Sequence, residues 1–318
     1  MVFYAGIDEA GYGPFVGPLT IGYAMFRVPN VEDNLWDILS PHCAQKPKRN
    51  DNRIWLNDSK KVNQGPKGRL RLSRGVAAFR KRLTPDKDMS SWINKPPAPN
   101  KKTVQKVPWF KNFKNSLLCP EISKERVELD SENIHRALYP NGINLSELGS
   151  LAVPAAEMNQ NFKNGLNKAE LNFFKATECI KHLIKLSGDS PLRIEIDQHG
   201  GRLKYEKILA KLLAPKDIKT HGENDSGSAY TLLFPRKNVE IRFSKNADKK
   251  FVPVALASMA AKQTRERCMD MWNDYFKKSL PKIKPTKGYG VDGKRWLTDI
   301  EPYWKTIPIT KDMVKRDR

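Results

Sequence analysis

Two runs of strand-like residues, 2–8 and 19–28, flank a stretch punctuated by Gly and Pro, and together they predict a hairpin that opens a sheet. Over 66–83, Leu70, Leu72, Val76, Ala77, Phe79 and Leu83 recur among basic residues. That spacing predicts a basic amphipathic helix behind Pro66, with a polar face able to lie on phosphates. Regularity is lost over 84–145, where Lys95-Pro96-Pro97-Ala98-Pro99 is Pro-rich and lysines gather around Val107-Pro108-Trp109-Phe110. This segment reads as a basic insertion or small subdomain. Its middle is expected to be flexible, because Pro-rich, apolar-poor chain cannot offset the entropy of ordering. Trp109 and Phe110 either stack on bases or anchor the segment to the core, and the pattern does not choose between them.

Periodicity returns over 166–186, where Leu166, Ala169, Phe173, Ala176, Ile180 and Leu183 recur at helical spacing. Leu192-Arg193-Ile194-Glu195-Ile196-Asp197 then alternates apolar with polar and stops before Gly200-Gly201. Asp197 is thereby predicted at the carboxyl end of a strand, where α/β proteins place their chemistry. A short helix over 205–213, two strands over 231–244 and a long helix over 252–278 follow, with Asp248 in the turn before that last helix. No internal repeat is present.

Charge adds a partner to this α/β outline. The formal net charge is +22, and residues 41–120 carry twenty Lys/Arg against four Asp/Glu. Such a block favours a polyanion, with an affinity that falls steeply with salt. No stretch approaches the run of about 20 apolar residues that spans a bilayer; residues 15–26 are interrupted by Gly17, Pro18 and Gly22. The first residues read as a strand rather than a secretory signal, so the expected compartment is the cytoplasm. Cys43, Cys119, Cys179 and Cys268 form no C-x-x-C pair and read as reduced structural thiols. The five histidines also lack metal-ligand spacing.

Adjacent carboxylates at the end of a buried strand, Asp8-Glu9, repel unless something positive sits between them, and a divalent metal would serve. An Asp-Glu pair just ahead of a glycine also suits a solvated turn. The dipeptide alone leaves both readings open.

The surrounding residues narrow the choice. Gly6-Ile7-Asp8-Glu9-Ala10-Gly11-Tyr12-Gly13-Pro14, followed by Val16-Gly17-Pro18, resembles the opening motif of the ribonuclease HII family, G-[IV]-D-E-[AV]-G-R-G-P. Leu56-Asn57-Asp58-Ser59-Lys60-Lys61-Val62 is similar to its L-x-D-S-K-K-L segment, and Ile194-Glu195-Ile196-Asp197 to the strand that ends in its third catalytic Asp. Leu256-Ala257-Ser258-Met259-Ala260-Ala261-Lys262-Gln263-Thr264-Arg265 resembles its A-A-S-I-x-A-K-x-x-R helix, with Asp248 at the place of the fourth Asp. Lys287-Gly288-Tyr289-Gly290 looks like its K-G-Y-[GP]. Ordered matches of this kind are far more specific than any one of them.

The resemblance implies a ribonuclease H-like fold, a mixed five-stranded sheet flanked by helices, formed by residues 1–83 and 146–318 around the inserted 84–145. It implies an endoribonuclease that hydrolyses the phosphodiester 5′ to a ribonucleotide, in RNA/DNA hybrids or in ribonucleotide-containing duplex DNA. Asp8, Glu9, Asp197 and Asp248 would hold two Mg²⁺ or Mn²⁺ ions, with Asp8 bridging them. Hard oxygen ligands suit those ions, and a pair about 3.5–4 Å apart can activate water and neutralise the departing oxygen. Gly11, Tyr12, Gly13, Lys60, Lys61, Lys262 and Tyr289 would meet substrate, Tyr289 by stacking on the junction sugar. Ser258 and Thr264 are expected to pack or cap within their helix.

This chain departs from the family in having Tyr12 for the arginine of the G-R-G loop, Gln198-His199-Gly200-Gly201 after the third Asp, and the basic insertion. Ribonucleotide recognition through main-chain groups is expected to persist. A nuclease of the same fold acting on structured DNA, and a catalytically idle nucleic-acid-binding protein, are the competing functions. The expected state is a monomer, and residues 311–318 read as a charged, mobile tail.

Overall fold

A computed structural model of the chain describes residues 1–48, 50–84, 88–93, 97, 107–111, 113 and 116–317. Seven strands make its sheet: β1 (Val2–Ala10), β2 (Leu19–Val28), β3 (Asn144–Val153), β4 (Leu192–Asp197), β5 (Asp217–Asn224), β6 (Gly227–Leu233) and β7 (Asn238–Ser244). Their order across the sheet is β3-β2-β1-β4-β7-β6-β5. β1 pairs antiparallel with β2 and parallel with β4, and β4 pairs parallel with β7.

The class is the expected one, a mixed α/β sheet flanked by helices, but the sheet has seven strands where five were expected. The two strands beyond those read from the sequence are β3, which pairs antiparallel with β2, and β5, which pairs antiparallel with β6 at the opposite edge. β5, Asp-Ile-Lys-Thr-His-Gly-Glu-Asn, was illegible because it is an edge strand with no residue fully buried, so nothing imposes an apolar period on it.

The helices used below are α1 (Ser59–Val62), α2 (Gly68–Arg80), α3 (Lys124–Leu138), α4 (Ala155–Lys163), α5 (Lys168–Leu186), α6 (Glu206–Leu213), α7 (Ala247–Lys250), α8 (Val252–Ser279) and α9 (Gly290–Ile300). Alternate side chains of β1 leave the sheet on opposite faces. Ala5 and Ile7 enter one apolar cluster with Phe173, Ile180 and Leu183 of α5, whereas Tyr4 enters a second with Leu256, Met259 and Trp272 of α8. Among the described residues, no helix is long and apolar enough to cross a membrane.

Much of the expected insertion joins that second cluster. Met89, Trp92, Val107, Trp109, Phe110, Phe113, Leu118, Ile134 and Leu138 belong to it. Trp109 packs on Trp272 with ring centroids 4.4 Å apart, so it anchors the segment and is not a platform for bases. Of the Pro-rich run, only Pro97 lies within the described residues. Helix α3 escaped the sequence reading because two of its inward positions, Asp130 and Ser131, are polar. Asp130 is buried to receive Arg74 and Arg126.

Residues 311–317 are not a mobile tail. Lys311–Val314 is helical, and Arg316 is 3% exposed.

Candidate active site

Because β1, β4 and β7 run parallel, their carboxyl ends open on one edge of the sheet. Asp8 and Glu9 end β1, Asp197 ends β4, and Asp248 sits on α7 just beyond β7. Ser258 of α8 faces the Asp8 carboxylate and Asn172 of α5 faces that of Glu9, each favouring the ionised form. The approach of α8 depends on two glycines. A Cβ on Gly6 would lie 2.3 Å from the Pro253 carbonyl carbon, and one on Gly22 would lie 2.0 Å from the Ala257 carbonyl oxygen. Bare backbone at those positions lets α8 rest directly on β1 and β2.

A cleft of about 420 Å³ forms over the strand ends. Asp8, Glu9, Asp197 and Asp248 all line it, together with Gly11, Tyr12, Gly13, Lys60, Lys262 and Tyr289. Lys61, grouped with these by sequence, is exposed and does not line the cleft. The sequence reading missed Asp58, Ser59 and Asn246, which do. Asp58 caps α1 by accepting the Lys60 N–H at 2.9 Å, and an Asp ahead of Ser-Lys-Lys was the available signal. Ser258 also differs from expectation: instead of capping its own helix it donates to the Ser59 hydroxyl at 3.0 Å and accepts the Ser59 N–H, on the side of α8 that faces Asp8. Thr264 does bond back to Ala260 O within α8, and it accepts the Trp92 indole N–H.

Burial and mutual repulsion dominate the electrostatics. Burial, then the Glu9 charge, pushes the Asp8 carboxyl well above the carboxylate range. Burial and Asp197 raise Glu9 to about 7, with Lys60 opposing. Asp197 is raised by burial, against the Ala247 N–H that donates to it at 2.9 Å and the charge of Lys60. Asp248 is raised by burial, Asp58 and Asp197. Acids so placed cannot all ionise unless a cation joins them.

The donor set fits a hard divalent ion, being carboxylate oxygen throughout with no thiolate or imidazole. The closure expected of a loaded site is nonetheless incomplete. Among the described residues, no three Asp, Glu, His or Cys side chains are gathered closely enough to hold one ion. Nearby groups take up the oxygens instead: Asp8 Oδ1 accepts from Glu9 N at 2.8 Å, and Asp197 Oδ1 accepts from Ala247 N.

Two aromatic rings flank the acids. Tyr12 and Tyr289 are each 37% exposed. Lys168 Nζ lies 4.5 Å from the centre of the Tyr12 ring, and the Arg265 guanidinium 4.4 Å from that of Tyr289. Lys262 pairs with Glu266 at 2.7 Å. Gly11 has φ +83°, and a Cβ there would strike Arg265 Nε at 2.5 Å, whereas a Cβ on Gly13 would meet nothing within 4 Å.

Part of the basic face expected of α2 is taken up by ion pairs within the chain. Arg69 pairs with Glu121, Glu266 and Asp270, Arg74 with Asp130, and Lys81 with Glu128. The run of positive charge ends where the acids of 121–132 begin, and α3 folds those acids back onto α2.

No protein-family model matches the chain, and none of the curated proteins does. Several solved structures are similar to it. The ribonuclease H2 from Pyrococcus horikoshii OT3 is 19% identical, over 98% of this chain and 92% of that one, at a TM-score of 0.40. The RNase HII of the PCNA:RNase HII complex from Archaeoglobus fulgidus is 15% identical over 99% and 94%, with a TM-score of 0.42. Bst-RNase HIII in complex with Mn²⁺ is 10% identical, over 99% of this chain and 66% of that chain, also at 0.42.

Proposed function

We propose that the chain is a metal-dependent endoribonuclease of the ribonuclease H type. Its substrate on this reading is the RNA strand of an RNA/DNA hybrid, or a ribonucleotide embedded in duplex DNA. One observation carries the proposal: Asp8, Glu9, Asp197 and Asp248, drawn from three parallel strand ends, line a single cleft beside Tyr12, Tyr289, Lys60 and Lys262. That set combines a seat for divalent ions with cations for phosphate and aromatic faces for a sugar or base.

Asp8, Glu9, Asp197 and Asp248 would hold two Mg²⁺ or Mn²⁺ ions, which supply an activated water and charge neutralisation at the departing 3′-oxygen. The protein's own part is positioning. Ser258 and Asn172 face the Asp8 and Glu9 carboxylates and favour their ionised forms. Lys60, whose charge is felt by Glu9 and Asp197, keeps positive potential at the mouth where the phosphate enters. Lys262 is held by Glu266 and lies 5.6 Å from the Tyr289 ring, so it can meet the phosphate next to a sugar stacked on that ring. On this reading the backbone of the Gly11–Gly13 loop, which lines the cleft, would test for a 2′-hydroxyl.

The test uses duplexes containing one ribonucleotide, a tract of four or more, or none, with Mg²⁺ and with Mn²⁺. Cutting confined to the ribonucleotide-containing strands, and lost in Asp8→Asn, is the expected result. Cleavage of all-DNA junctions would instead identify a nuclease for structured DNA, and salt-sensitive binding without cleavage an idle binder.

A further inference from the structure

Arg316 is far from the acids in sequence but holds the loop that follows them. Its Nε donates to Gly17 O at 2.8 Å and its Nη1 to Gly11 O at 2.6 Å, while its backbone N–H donates to Phe15 O at 3.0 Å. Lys315 pairs antiparallel with Val16. Asn159 of α4, fully buried, secures the segment by donating to Lys315 O at 2.8 Å and Asp312 O at 3.0 Å and by accepting the Asp317 N–H.

The two carbonyls that Arg316 spans belong to the residues at which the loop leaves and re-enters regular geometry, Gly11 at φ +83° and Gly17 at φ +82°. Glycines of this kind are the most freely moving points of a chain. A planar fork of donors fixes the separation of two carbonyls, which a point charge cannot do. Arg265 closes the opposite side: the Cβ that Gly11 lacks would meet its Nε, and Phe15 N donates to Gly288 O at 2.8 Å, next to Tyr289. Tyr12 and Tyr289 therefore stand on one braced unit. Stability alone does not call for this design, since apolar packing generally stabilises a buried position at least as well as a guanidinium.

We propose that Arg316 is a positioning residue for substrate discrimination, fixing the Gly11–Gly17 loop so that Tyr12 and the loop amides meet the ribonucleotide in one geometry. The proposal rests on the reading of that loop as the ribonucleotide reader. The acids do not depend on it, because β1 is held by its own ladders to β2 and β4.

The experiment measures binding of a duplex with one ribonucleotide and of the matching all-DNA duplex, both in an Asp8→Asn background so that no strand is cut. Hydrogen exchange of the 11–17 amides is followed in parallel. Arg316→Ala is expected to weaken the ribonucleotide duplex about tenfold, to leave the all-DNA duplex unchanged, and to speed exchange in 11–17 but not in β1. Arg316→Lys is expected to recover only part of the loss. Asn159→Ala, which frees the segment without touching Arg316, should act in the same direction and serves if Arg316→Ala fails to fold. Equal loss on both duplexes, or loss on neither, overturns the proposal. A parent protein that binds both duplexes equally would sink the ribonucleotide-reader reading instead. In that case unchanged exchange in 11–17 would overturn the positioning role, and faster exchange confined to the loop would uphold it.

Discussion

Glu9 and Asp197 lie at the ends of neighbouring parallel strands, and burial together with the Asp197 charge holds the Glu9 carboxyl at about 7. An acid whose pKa rises on folding binds its proton more tightly in the folded chain. The stability it contributes is therefore complete below the unfolded value and is lost as pH rises through the folded one. In chelator, the protein is expected to lose on the order of 3 kcal/mol through this group between pH 4.5 and pH 8. Thermal melts of Glu9→Gln should show a gain at pH 8 that vanishes at pH 4.5. The same shift at both pH values would contradict this origin.

Divalent ions should reverse the effect. With Mg²⁺ or Mn²⁺ at a hundred times its dissociation constant, stabilisation of about 2.7 kcal/mol is expected at pH 8. It should shrink towards pH 5, where protons compete for the carboxylates. Asp248→Asn should remove most of the ion-induced rise in Tm. An unchanged rise would take Asp248 out of the metal site.

Gly22→Ala places a methyl group 2.0 Å from Ala257 O, a backbone atom that cannot swing aside. A loss of roughly 3 kcal/mol is expected, with a fall in activity because α8 carries Ser258 and Lys262. Gly13→Ala, which meets open space, is the control and should stay within about 0.5 kcal/mol. Denaturant titrations of the two variants, compared at equal slope, decide the matter.

Arg74→Ala separates ion pairing from phosphate binding on α2. Asp130, only 4% exposed in its side chain, would keep Arg126 but lose its partner at 2.6 Å. A destabilisation of about 2 kcal/mol is expected. The slope of log affinity against log salt for duplex binding should not change. A slope smaller by about 0.9 would make Arg74 a phosphate contact after all.

Elements with a strong apolar pattern were legible. β4 and α5 lie where their period predicts them, because each buries a face against a neighbour, and β1, β2 and the start of α8 show instead as nearly continuous apolar runs, being buried on all sides. The elements missed have no single cause: β3 buries Leu148–Val153 as one unbroken run without the alternation that marks a half-buried strand. β5 is an open edge, and α3 fills its inward face with Asp130 and Ser131. The charge count of 41–120 could not show that Arg69, Arg74, Lys81 and Arg82 pair with acids of 121–132, since a linear sum does not see which charges meet in space.

The sequence by itself determined the candidate chemistry: two adjacent acids on a strand end, two more in order behind them, and no thiolate or imidazole set to compete for a metal ion. Spacing placed Asp8, Glu9 and Asp197 at strand ends, and the resemblance of the ordered motifs to the ribonuclease HII family joined them with Asp248 into one candidate set. Only the tertiary structure decided what supports those acids. Ser258 reaches Asp8 because Gly6 and Gly22 admit α8, and Asp58 joins the cleft because α1 docks beside Ser258. Arg316 braces Gly11 from the far end of the sequence. Contacts between residues so distant along the chain follow from how the layers pack, and no local pattern encodes them.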